Sequence, residues 1–128
     1  MNAAKKMLDA ARILGAENAL IIPGMLTEDD DYEQSYCLVQ ERLATLCDYA
    51  PEINVAVENV WDGMLYSPLE VKRFVDETGK KNRGIYFDIA NARRAGESSN
   101  SIAKTTGCLW TISTRLPICW MGMLIIPR

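Results

Sequence analysis

Glu58 and Asp88 are the residues of this sequence best placed to do chemistry. Each closes a short apolar run, Ile53-Asn54-Val55-Ala56-Val57-Glu58-Asn59 in one case and Gly84-Ile85-Tyr86-Phe87-Asp88 in the other. In parallel α/β folds functional groups collect at the C-terminal ends of strands, where the loops leave toward the helices. Two carboxylates side by side repel unless they share a proton or a cation. A divalent cation that prefers oxygen ligands, Mg2+ or Mn2+, resolves that conflict. The plainer reading, solvated loop carboxylates or helix caps, stands beside it on these residues alone.

Several other chemistries are excluded. The chain has no histidine, so it can build neither a Ser-His-Asp nor a Cys-His centre, nor a histidine metal site. Cys37, Cys47, Cys108 and Cys119 form no C-x2-C pair, which removes zinc-ribbon and redox motifs. Cys37 and Cys47 fall within a predicted helix and read as reduced, buried thiols. Lys80-Lys81 and Arg93-Arg94 read as solvated faces rather than a phosphate grip, and Gly24 as a turn residue, since no G-x-G-x-x-G follows it.

The elements that must position the two carboxylates follow one rhythm: helix, glycine, short apolar strand, polar loop. Ala4, Met7, Leu8, Ala11 and Leu14 make one stripe of a first helix near 3–14, stopped by Gly15. Ala19-Leu20-Ile21-Ile22 is a fully apolar strand, as expected in a parallel sheet, closed by Pro23-Gly24. Thr27 to Asp31 then places negative charge before a helix near 31–49. Tyr32, Tyr36, Val39, Leu43, Leu46 and Ala50 give that helix its apolar face, and Pro51 ends it. Ser67-Pro68-Leu69-Glu70 opens a third helix near 68–78 with a cap, a first-turn proline and a capping-box glutamate. Strands about 30 to 35 residues apart, each pair joined by a helix, predict parallel strands with right-handed crossovers. Leu20, Ile22, Val55, Val57, Ile85 and Phe87, or their alternates, form the inner face. Periodicity does not separate a closed barrel from a doubly wound open sheet.

With 128 residues, 48% hydrophobic and 24% charged, the composition is that of one small globular domain, about half of a typical (β/α)8 barrel of ~250 residues. A net charge of −3 gives no reason to expect nucleic acid or an anionic membrane as partner. The first helix carries Lys5, Lys6, Asp9 and Arg12 and lacks the apolar stretch of a signal peptide, so a cytoplasmic location is expected. Residues 98–128 break the rhythm: they hold no Asp or Glu, although the chain has 17 acidic residues, and they hold two of its three tryptophans. The reading is residues 1–97 as the ordered unit and 98–128 as a divergent tail, either an aberrant helix and strand or a segment translated out of frame.

Val55-Ala56-Val57-Glu58-Asn59-Val60-Trp61, Ser67-Pro68-Leu69-Glu70 and Gly84-Ile85-Tyr86-Phe87-Asp88-Ile89-Ala90-Asn91, in that order and spacing, resemble the xylose-isomerase-like TIM-barrel superfamily. Within it they look most like the hexulose-phosphate isomerases and pentulose-phosphate (L-ribulose/L-xylulose phosphate) epimerases. The resemblance covers about Ala3 to Gly96, the span from the second barrel helix to the fifth strand, and so implies an incomplete (β/α)8 barrel of about three βα units. It implies a divalent metal (Mg2+, Mn2+ or Zn2+) held in the intact family by Glu, Asp, His and a second Glu. Glu58 matches the first Glu, also one of the acid/base pair, and Asp88 matches the Asp ligand. Asn59, Trp61 and Asn91 match positions near the substrate pocket. The implied reaction is metal-assisted proton transfer next to a carbonyl of a sugar or sugar phosphate. The family's His and second Glu have no counterpart here, which implies weak or absent metal binding and an inactive fragment, with self-association through open sheet edges. A non-catalytic α/β protein or degenerate paralogue is the competing reading. An endonuclease IV-type nuclease, built on several histidines, fits poorly.

Overall fold

The computed structural model describes residues 1–60, 63–94, 96 and 123–127, the last five through their backbone alone. The elements, in chain order, are α1 (Asn2–Leu14), β1 (Asn18–Ile21), α2 (Tyr32–Tyr49), β2 (Asn54–Glu58), α3 (Pro68–Thr78), β3 (Arg83–Asp88), α4 (Ile89–Arg94) and β4 (Met123–Pro127). Local chemistry accounts for most of these boundaries. Asp31 accepts a hydrogen bond from Gln34 N at 2.8 Å and so caps α2. Ser67 Oγ accepts one from Leu69 N at 3.3 Å, with Pro68 in the first turn of α3. Both α1 and α3 end on a left-handed glycine, Gly15 and Gly79.

The strands form one sheet in the order β1-β2-β3-β4. β1 pairs with β2 and β2 with β3, both parallel, which bears out the predicted three-strand arrangement. Consecutive barrel strands have this sequential order, and so does one half of a doubly wound sheet. A right-handed crossover between strands added always in the same direction puts every helix on one face; a doubly wound sheet needs a reversal of order. None occurs among β1, β2 and β3. The core lies on that single helical face: Leu8 and Ala11 of α1, Leu43, Leu46 and Cys47 of α2, and Val71, Phe74 and Val75 of α3 pack on Ala19, Val55, Val57, Ile85 and Phe87. Val55, Val57, Ile85 and Phe87 therefore face the helices, and their alternates, with Leu20, make up the inner face.

Two expectations need correction, and one strand lies outside the predicted series. The stripe of α1 is narrower than its sequence predicts: Met7 and Leu14 are exposed, and the buried residues of α1 are Leu8 and Ala11. Cys37 is exposed while Cys47 is buried, since Cys37 lies one residue off the apolar face of α2. β4 runs antiparallel to β3, with Asp88 opposite Met123. It lies within the segment read as a divergent tail; Cys108 and Cys119 lie outside the described residues.

At the N-terminal rim of the sheet, polar side chains tie the layers together. Asn82 Nδ2 lies within 3.0 Å of the carbonyl oxygens of Cys47 and Ala50 and 2.9 Å from that of Ile53. The helical partner of Cys47 O would be the amide of residue 51, but Pro51 has none. Asn82 supplies the missing donor. Lys80 pairs with Asp48 on the same rim, which places it away from the carboxylates and leaves it a surface ion pair, as expected.

Candidate functional site

Glu58 and Asp88 stand at the opposite, C-terminal rim. Glu58 is aligned with Tyr86 across the parallel pair, and aligned residues share a face. Asp88, two residues beyond Tyr86, points to that same face, away from the helices. Two residue rises and one strand spacing put the two Cα atoms roughly 8 Å apart, within reach for side chains converging on one cation. Glu58 is buried to 9% exposure, with Ala56 beneath it at 2%.

Hydrogen bonds organise this rim. Asp88 Oδ1 accepts from Ala90 N at 2.7 Å and Asn91 N at 3.1 Å, so Asp88 caps α4. Asn59 is 1% exposed. Its Nδ2 donates to Asp88 O at 2.9 Å, and its Oδ1 accepts from Asp88 N at 2.7 Å. Asn91 Nδ2 donates to Asn59 O at 3.0 Å. The structure thus brings Glu58, Asn59, Asp88 and Asn91 together, with both amides bonded to backbone. Trp61 lies outside the described residues, as does the side chain of Arg93.

The loop after β2 is fixed from below. Met64 and Leu65 are buried in the core, and Leu65 adopts a positive φ of 58°, uncommon for a residue with a branched side chain. Gly63, at φ 104°, lies against the loop after β1: a Cβ there would stand 2.7 Å from Leu26 Cβ. Gly63 N also donates to Tyr66 Oη at 2.7 Å. Sequence reasoning singled out none of these residues; the Asp-Gly pair at 62–63 is the only signal that could have found them.

Against known proteins, the sequence matches the family model described as xylose isomerase-like TIM barrel over residues 1–109. The chain belongs to that family. Solved structures agree on the fold. A xylose isomerase-like TIM barrel protein from Mycobacterium smegmatis, in complex with magnesium, superposes with a TM-score of 0.67 at 18% identity over 81% of this chain and 39% of that one. A D-allulose 3-epimerase from Methylomonas sp. superposes with a TM-score of 0.63 at 20% identity, over 81% and 38%. The chain thus spans about two-fifths of these neighbours, and the family barrel is present here as a partial one. Curated proteins give no match.

As a cation site the rim fits in donor chemistry: two carboxylates on one face are hard oxygen ligands suited to a divalent ion. Asp88 Oδ1 is committed to α4, which leaves Oδ2 as its ligand atom. Among the described residues no third His, Cys, Asp or Glu joins them, so they provide part of a coordination shell. No helix among the described residues is long and apolar enough to cross a membrane.

Proposed function

We propose that Glu58 and Asp88 form one half of the divalent-metal site of a sugar or sugar-phosphate isomerase/epimerase. The observation that carries the reading is the register: Glu58 opposite Tyr86 puts both carboxylates on the inner face at the C-terminal rim. A bound Mg2+ or Mn2+ would polarise the carbonyl and neighbouring hydroxyl oxygens of the sugar. The carboxylate of Glu58 exchanges a proton with the carbon beside the carbonyl, and Asp88 holds its position through Oδ1. Family membership and an epimerase among the similar folds support the isomerase/epimerase class. The segments quoted above favour a hexulose or pentulose phosphate as substrate, and a cytoplasmic setting accompanies that chemistry. One of two proton-exchanging carboxylates is assigned, so the isolated chain is proposed to lack turnover.

Mn2+ titration followed by electron paramagnetic resonance tests this. Weak binding that Glu58→Gln abolishes is the expected result. Binding unaffected by that substitution refutes the site. Isomerase turnover by purified chain that disappears in Glu58→Gln would overturn the half-site reading and require a complete site within this chain or its oligomer.

A further inference from the structure

Given the metal reading above, on which this rests, we infer that Asn59 is a positioning residue for Asp88, setting the spacing between the two carboxylates rather than contacting the sugar. In the ladder between β2 and β3, Asn82 O accepts from Val55 N at 2.8 Å. Backbone groups on a strand alternate in direction, so residues 84, 86 and 88 also turn their N–H and C=O toward β2. Regular pairing ends at Glu58–Tyr86. At the next rung both backbone groups of Asp88 are taken by the Asn59 side chain, at 2.7 and 2.9 Å. A side-chain amide has the donor and acceptor of a peptide group, and here it stands in for one. It extends the sheet by one rung and leaves Asn59 O to the side chain of Asn91.

Two further bonds close the arrangement. Asn91 Nδ2 holds Asn59 O, and Asn91 N holds Asp88 Oδ1. Asp88 is therefore gripped at its N–H, its carbonyl and one carboxylate oxygen, all by groups traceable to Asn59 or the first turn of α4. Glu58 is covalently next to Asn59, so moving the amide moves one carboxylate relative to the other. At 1% exposure, with its donor and acceptor both engaged, the amide is poorly disposed to bind sugar hydroxyls.

The test is Mn2+ binding to the purified full chain, read as the loss of the free-ion resonance signal, with thermal unfolding recorded alongside. Asn59→Ala, which removes both bonds, and Asn59→Asp, which sets an oxygen against Asp88 O, should each weaken Mn2+ binding by about 10–100-fold, the usual effect of losing a group that orients a metal ligand. Asn91→Ala is the milder perturbation should the Asn59 variants unfold; it should weaken binding several-fold. Asn82→Ala, at the other rim, should lower the unfolding temperature with Mn2+ affinity unchanged. If the folded Asn59 and Asn91 variants bind Mn2+ like the wild type while Glu58→Gln does not, Asn59 is only a strand-end brace and the inference falls. If the wild type shows no binding that Glu58→Gln removes, the metal reading itself fails and takes the inference with it.

Discussion

Replacing Asn82 by aspartate should destabilise the fold in a manner that acid relieves. Asn82 Nδ2 has two hydrogens and serves three carbonyls. Ala50 O keeps a second donor, Ile53 N at 3.1 Å, whereas Cys47 O has no substitute because residue 51 is proline. Ile53 O likewise has no other donor among the described residues, so Asn82→Ala strands two carbonyls at about 1–3 kcal/mol each, for a total of roughly 2–6 kcal/mol. Asn82→Asp keeps the shape but turns a carboxylate toward three carbonyl oxygens, and at neutral pH it should cost at least as much as the alanine change. The protonated carboxyl can donate one hydrogen to these oxygens, so its folded pKa lies above the unfolded value of about 3.9. Its stabilising contribution is then full below about pH 4 and lost as pH rises through the folded pKa. Urea unfolding followed by circular dichroism, from pH 4 to 7, measures this against the wild type. The aspartate variant should lose ground steadily with rising pH, while the alanine variant keeps a constant offset. A wild-type-like midpoint for Asn82→Asp at pH 7 would refute the assignment of Asn82 as the terminal donor of α2.

Two other outcomes follow from burial and backbone geometry. Gly63→Ala should cost about 2 kcal/mol or more, because φ 104° is strained for an L-residue and the new methyl meets Leu26 at 2.7 Å; an unchanged urea midpoint would show that the two loops are not in contact. Thiol labelling with peptide mapping should modify Cys37 in the native chain and Cys47 only after unfolding, since desolvation pushes the Cys47 thiol up to about 11 and it is buried; equal rates at the two sites would contradict the packing of α2.

Much of the scaffold was legible before any coordinates. Helix periodicity, Pro51, Pro68 and the glycines at 15 and 79 mark where α1, α2 and α3 begin or end, because these are local effects of backbone chemistry. The strand-end positions of Glu58 and Asp88 were equally visible, since alternation of strand and helix fixes which end faces the loops. What the residues hid was set by register. That Asn59 would meet Asp88 depends on Glu58 lying opposite Tyr86, which no local pattern encodes. α4 escaped notice because six residues carry too little periodicity, and Asp88, its cap, read equally well as a ligand. A strand in the tail was one of two readings, but its pairing was hidden because an antiparallel edge strand breaks the one rhythm the rest of the chain obeys. The inner face was ambiguous for the same reason: strands apolar on both sides, such as Val55-Ala56-Val57, give no alternation to read.

The double duty of Asp88 has a thermodynamic consequence. Its two oxygens share one charge, so a cation that drew electron density to Oδ2 would weaken Oδ1 as an acceptor for the amides of Ala90 and Asn91. A helix of six residues has little cooperative stability of its own and depends on that acceptor. Under the proposed metal site, occupancy at the rim and order in Ile89–Arg94 would be reciprocal: an ion bound there would loosen the helix by the same free energy that the helix withholds from the ion. The short helix would in effect be a gauge of what is bound at the carboxylate that starts it.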